Sequence, residues 1–172
     1  MFRTSGAEAF FAAWTALREN NSIPHYRTLF QHLSSELIPH LVILEEVDDD
    51  FVFRFMGTYF VELRGKDLTG DNRLALLPPK QAAATREFLS TILDFSCGLW
   101  TRSLYAAPPR SDFEIETIIL PTANDLNKPR RILAYGHLLR AGTFVSGKKT
   151  LGHAERAWID IGSGVPKNLP DM

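Results

Sequence analysis

The chain of 172 residues has a single cysteine, Cys97. One thiol closes no internal disulfide and builds no cysteine-rich zinc site. An excess of either charge is also missing: 19 Lys and Arg meet 20 Asp and Glu, a formal net charge of −1. Without a global basic field the chain does not wrap nucleic acid. Lys128-Pro129-Arg130-Arg131 is too short a basic run, and lacks the interleaved aromatics, to serve as a nucleic-acid module. No apolar run approaches the roughly 20 residues that cross a bilayer, and the opening MFRTSGAEAFFAAW is too amphipathic and too acidic for a secretory leader. No membrane partner is expected, and the chain reads as cytoplasmic. Repeats and low-complexity tracts are lacking as well. What remains, 45% hydrophobic and 23% charged, suits one domain with a substantial core.

Motifs that carry chemistry are sparse too. GTFVSGKK, Gly142 to Lys149, fits Gly-x-x-x-x-Gly-Lys after a strand, but Lys149 stands where Ser or Thr would reach Mg²⁺. Only 22 residues follow Thr150, too few for the helix and strands a phosphate loop requires, so this segment reads as a solvated basic loop. Gly65 and Gly70 in GKDLTG read as turns rather than a phosphate cradle. His25 and His32 are seven residues apart, in a region interrupted by Pro24 and Pro39, which is poor zinc spacing. Ser96-Cys97-Gly98 is no nucleophile elbow. Glu45-Glu46 and Asp48-Asp49-Asp50 are explained by a turn and a strand end, and Cys97 reads as a small buried filler.

What is present is a clear order of elements. Ser5 and Glu8 have capping-box spacing ahead of a helix whose stripe is Ala7, Phe10, Phe11, Trp14 and Leu17. A second short helix fits 27–37, with Leu29, Phe30, Leu33 and Leu37 on one side, and Pro39 ends it. HLVILEEV and FVFRFMGT flank the Asp triplet and read as a hairpin. Short helices and loops fill 59–80. A longer helix spans 80–95 with the stripe Ala84, Phe88, Leu89, Ile92 and Phe95, and Gly98 is its stop signal. Strands follow at 99–106, 113–120 and 131–140, joined by connections too short for crossover helices, which predicts antiparallel pairing. ERAWIDI adds a further short element. The fold class is α+β: a five-stranded antiparallel sheet with helices on one face, its other face solvated or covered by a terminal helix. The chain divides into an N-terminal helical extension (1–40), a core (41–142), and a C-terminal loop and tail (143–172).

Four motifs in this order carry a resemblance: IPHLVILEEV, FRFMGT, GKDLTG and ETIILPTAN. Together they resemble the PAS domain family, specifically its stand-alone bacterial proteins, over residues 10–142. The resemblance implies a sensory or regulatory domain in bacterial signalling that holds a small molecule between the inner sheet face and the central helices, or binds a partner protein, or both. It implies a homodimer through the N-terminal helix and an unidentified signalling partner. The Phe10, Phe11 and Trp14 stripe suits that dimer, and it equally suits packing on the chain's own sheet. A haem-binding member usually carries an axial His on its helices, which 80–95 lacks, and Cys97 lies outside the Asn-Cys-Arg-Phe-Leu-Gln motif of flavin photoreceptors. Haem and covalent flavin are therefore disfavoured and the cofactor is unknown.

Candidate ligand contacts follow. Tyr59 begins the short-helix region that walls the pocket in this fold. Arg54 interrupts an apolar strand, so it is either a ligand anchor or a solvent-facing residue. Trp100 and Thr117 lie on strands that carry hydroxyl and aromatic side chains. Tyr135 and His137 alternate along LAYGHLL, and they line the cavity in one register, whereas Ala134 and Gly136 make room for a ligand in the other. No nucleophile–base–orienter set assembles, so the chain reads as a non-enzyme. Two rival readings stand: a small α+β cup enzyme of isomerase or cyclase type using His137 as its base, and a ligand-free interaction or dimerisation module.

Overall fold

A computed structural model describes residues 2–20, 22–105, 112–123, 125–126, 128–142 and 152–168. Helix α1 (Ser5–Ala16) starts one residue earlier than its sequence signal: Thr4, not Ser5, is the N-cap, and its Oγ1 accepts the Ala7 N–H at 3.2 Å. Helix α2 (Tyr26–His32) is shorter than the 27–37 pattern, and a 3-10 turn at Ile38–His40 carries the chain into the sheet. Strands β1 (Leu41–Val47) and β2 (Asp50–Met56) form the expected hairpin. Asp48 and Asp49 both take positive φ, as a two-residue turn between twisted strands requires. Helix α3 (Thr58–Arg64) is closed by Gly65 at φ 74°.

Helix α4 (Pro79–Phe95) matches its expected range closely. Its stop is Ser96, at φ 49°, rather than Gly98. Gly98 is already in the next strand, where a Cβ would come within 2.7 Å of the Leu120 side chain. Because the chain turns at Ser96, Phe95 leaves the stripe and is half exposed, while Ala84, Phe88, Leu89 and Ile92 stay buried.

Strands β3 (Gly98–Tyr105), β4 (Asp112–Thr122) and β5 (Arg131–Gly142) are antiparallel neighbours, and β6 (Gly152–Ile159) pairs with β3. Among the described residues the sheet therefore has six strands, in the order β2-β1-β5-β4-β3-β6. The sixth strand is the short element expected at ERAWIDI, lengthened, and it falls inside what the sequence reads as a tail. The phosphate-loop decoy after Gly142 lies outside the described residues.

Strand alternation divides the core. On one face Trp100, Ile118, Leu133 and Tyr135 pack against Phe10 and Trp14 of α1 and Leu29 of α2. On the other, Phe53, Leu99, Ile132 and Ala134 pack against Phe88, Leu89 and Ile92 of α4. The N-terminal helices thus cover the second sheet face. Phe10 and Trp14 are fully buried against their own sheet, and Trp14 Nε1 donates to the Pro121 carbonyl at 3.1 Å.

Two buried glutamates tie the strands together through arginines. Glu45 accepts from Arg54 at 2.8 Å and from Arg131 at 2.7 Å. Glu114 pairs with Arg102 and Arg140. Burial alone would raise both carboxyls, but the guanidinium hydrogen bonds outweigh it and hold both below their ordinary value. A carboxyl lowered in the fold contributes stability above its unfolded pKa, about 4.3, and loses it as pH falls through the folded value. Urea midpoints should stay level from neutral pH to about 5 and drop below that. The Glu45→Gln/Glu114→Gln double variant should show a flatter acid limb. An equally steep limb in the variant would remove the assignment.

Candidate functional site

The inner sheet face is built from two neighbouring rows of side chains. Thr101, Thr117 and Gly136 face one another across β3, β4 and β5, and Leu99, Ile119 and Ala134 form the adjacent row. Phe60, Leu63 and Arg64 of α3 and Thr85, Phe88 and Leu89 of α4 roof them. At Gly136 a Cβ would lie 2.6 Å from the Phe60 ring, so glycine lets that ring lie close to the strand. Between floor and roof is a cavity of about 140 Å³. Cavities of about 150 Å³ lined by Leu, Ile and Phe hold a benzene ring.

The polar groups of this wall are few. Among the described residues they are Thr85, Thr101 and Thr117, with Arg64 and Arg73, and no Asp, Glu, His or Cys lines the cavity. Its described residues offer no carboxylate or imidazole for general acid–base work. It offers hydroxyls and positive charge around an apolar volume.

Of the residues expected to contact a ligand, Thr117 lines the cavity. Trp100, Tyr135 and His137 occupy the opposite face, because the sheet takes the register in which Ala134 and Gly136 point inward. The room that Gly136 creates is occupied by Phe60 rather than left open. Arg54 is also away from the cavity, facing solvent and paired with Glu45 at 2.7 Å. Tyr59 sits on α3 with its ring 4.0 Å from that of His40, and Phe60 takes the position on the cavity wall.

The outer face gathers a different set of groups. His137 stacks on His40 at 5.0 Å, and Tyr135 stacks on Phe10 at 5.5 Å. Burial, then the neighbouring His40, lowers the His137 pKa against the opposing pull of Glu116. Burial, then Glu116 and Tyr59, pushes the Tyr135 phenol up to about 12. As a base for cavity chemistry, His137 is on the wrong side of the sheet. Past Tyr135, β5 outruns β1. There the Gly136 carbonyl accepts from His40 Nδ1 at 3.1 Å, and the Leu138 N–H donates to the Tyr59 hydroxyl at 3.0 Å.

Glu116 is fully buried on this face. One carboxylate oxygen accepts from Trp100 Nε1 and from the Arg3 N–H, each at 2.7 Å, and the other accepts from the Thr4 hydroxyl at 2.8 Å. The group that caps α1 is thereby held to the sheet. The alternation of Glu114 and Glu116 in FEIETIIL was a signal for one acidic row on that strand. Cys97 is buried, its thiol pushed up to about 11 chiefly by desolvation, and it does not line the cavity. Among the described residues no cluster of three His, Cys, Asp or Glu could hold a metal ion, and no helix is long and apolar enough to cross a membrane.

An antiparallel sheet with a short-helix and long-helix roof over an apolar cavity defines an α+β domain. The PAS domain family matches residues 1–138, and the chain belongs to it. By that class it is a sensory or regulatory domain. The match includes the N-terminal helices, in keeping with the core they share with the sheet. A solved structure of a fungal LOV domain photoreceptor is similar at 16% identity, over 79% of this chain and 95% of that one, with a TM-score of 0.46. Among curated proteins nothing matches.

Proposed function

We propose that this PAS domain is a non-enzymatic sensor that holds a small, mainly apolar molecule in the cavity between the inner sheet face and helices α3 and α4, and passes its state to a partner protein. The observation that carries this is the cavity wall itself. The cavity measures about 140 Å³, is mostly aliphatic and aromatic, and among the described residues carries hydroxyls and arginines but no acid, imidazole or thiol. Such a wall can bind and orient a ligand, and it lacks the proton-transfer groups of the cup-enzyme alternative. The volume is on the order of half the low end of drug-sized pockets, so a ring-sized occupant fits the folded chain better than a tricyclic one.

Toluene is a suitable neutral probe. At about a hundred times its dissociation constant it should add about 2.7 kcal/mol to the native state, raising the melting temperature by several degrees. In Ala134→Leu, whose added methyl groups enter the cavity, that rise should vanish while the unliganded melting temperature changes little. Equal responses in both proteins, or none in the native chain, would leave the ligand-free interaction module as the better account. Native mass spectrometry of the purified chain reads any resident molecule directly.

A further inference from the structure

Arg156 was not a candidate from sequence, and its position bears on what the cavity holds. It sits on β6 opposite Thr101, so its side chain shares the inner face with that cavity-lining hydroxyl. Its Cζ lies 5.2 Å from the centre of the Phe88 ring, another wall of the cavity. Its Nη1 is buried and has no hydrogen-bond partner, and among the described residues no carboxylate pairs with it. Other arginines of the sheet are neutralised, Arg54 and Arg131 by Glu45 and Arg102 by Glu114 and Glu155, as is Arg130 just before β5, by Glu46 and Asp94. A half-buried guanidinium with an orphaned donor is costly, and the face of one aromatic ring offsets only part of that cost.

The surroundings carry the same sign. Arg64 and Arg73 line the cavity, both with contacts of their own, and among the described residues no acidic side chain is on its wall. An apolar pocket with cationic groups at its margins and no anion favours a negatively charged ligand. A guanidinium presents paired N–H groups that match a carboxylate better than any neutral oxygen.

We propose that the ligand is a small hydrophobic carboxylate, its ring or branched body in the cavity and its carboxylate on Arg156, with Thr101 alongside. This rests on the cavity being a ligand site. Benzoate and benzamide separate the two claims, because they share a ring and differ in charge. By calorimetric titration, benzoate should bind the native chain roughly tenfold or more tightly than benzamide, the usual gain for a charge-assisted bond in a desolvated site.

In Arg156→Met that preference should fall to about one, while the response to toluene stays as in the native chain. Arg156→Lys, which keeps the charge on a similar stem, should retain part of the preference and guards against a folding defect in the methionine variant. Benzoate no better than benzamide, or binding of neither, overturns the inference. So does a preference that survives Arg156→Met, or one that is lost in Arg64→Gln or Arg73→Gln instead, which would move the anchor to those arginines. A native chain that responds to toluene but not to charge keeps the cavity and loses the carboxylate. A chain that responds to none of the probes loses both.

Discussion

Trp14→Ala should lower the free energy of unfolding by about 3–5 kcal/mol, the range for truncating a large buried aromatic. Domains of this kind have total stabilities of about 5–15 kcal/mol, so the variant stands close to the limit of folding. The physical grounds are twofold. The indole is fully buried between α1 and the sheet, in a cluster that includes Ile118, Leu120 and Leu133, so alanine leaves a void that surrounding strands cannot close. Its Nε1 also donates to the Pro121 carbonyl, which would lose its partner. Trp14→Phe separates the terms: most of the apolar contact remains and only the hydrogen bond and part of the area are lost, for about 1–2 kcal/mol. Urea unfolding followed by circular dichroism reads both. A loss under about 1 kcal/mol for Trp14→Ala would mean that α1 is a loose appendage rather than part of the core.

Glu116→Ala should cost about 3 kcal/mol, because it removes an acceptor and strands its donors. The carboxylate gathers Trp100 Nε1, the Arg3 N–H and the Thr4 hydroxyl, and of these Trp100 Nε1 is enclosed by protein. Thr4 is also the N-cap of α1, so its hydroxyl would lose the bond that fixes its orientation. The loss should therefore appear twice: in global stability, and in faster amide exchange over the first turn of α1 than elsewhere in the sheet. Glu116→Gln keeps one acceptor oxygen but turns an amide N–H₂ toward a donor, and should fall between alanine and the native residue. A global loss with no local change in α1 exchange would separate Glu116 from the docking of that helix.

The legible and illegible parts of this fold differ for physical reasons. Helix α4 was legible because Ala84, Phe88, Leu89 and Ile92 repeat at helical spacing on a polar background. The hairpin at Asp48-Asp49 was legible because short polar side chains tolerate the left-handed turn it needs. The inward face of β5 was not, because both of its faces are apolar and periodicity of two cannot choose between them. That one undetermined register puts Tyr135 and His137 on the opposite face of the sheet from the cavity, and removes with them the rationale for a His137-based enzyme.

The caps failed by small margins, Thr4 for Ser5 and Ser96 for Gly98, because several residues in each place could serve and tertiary packing chose among them. Arg54 carried a real signal, a charge in an apolar strand, whose answer was Glu45 on the neighbouring strand rather than a ligand. Arg156 carried a fainter one: it alternates with Trp158 in ERAWIDI, and a strand that packs that indole on the Phe88 side must turn the arginine the same way.

The place where β5 outruns β1 has a consequence for behaviour at high concentration. A bare stretch of strand presents a row of main-chain donors and acceptors that any extended segment of another molecule can extend, the usual start of edge-to-edge aggregation. Here the first two groups of that row are taken by side chains, the His40 imidazole on the Gly136 carbonyl and the Tyr59 hydroxyl on the Leu138 N–H. They have no strand periodicity of their own, so a foreign chain cannot continue the β1 pairing directly along β5. Tyr59, which sequence alone assigns to a pocket wall, instead joins His40 in covering part of the edge of the longest described strand.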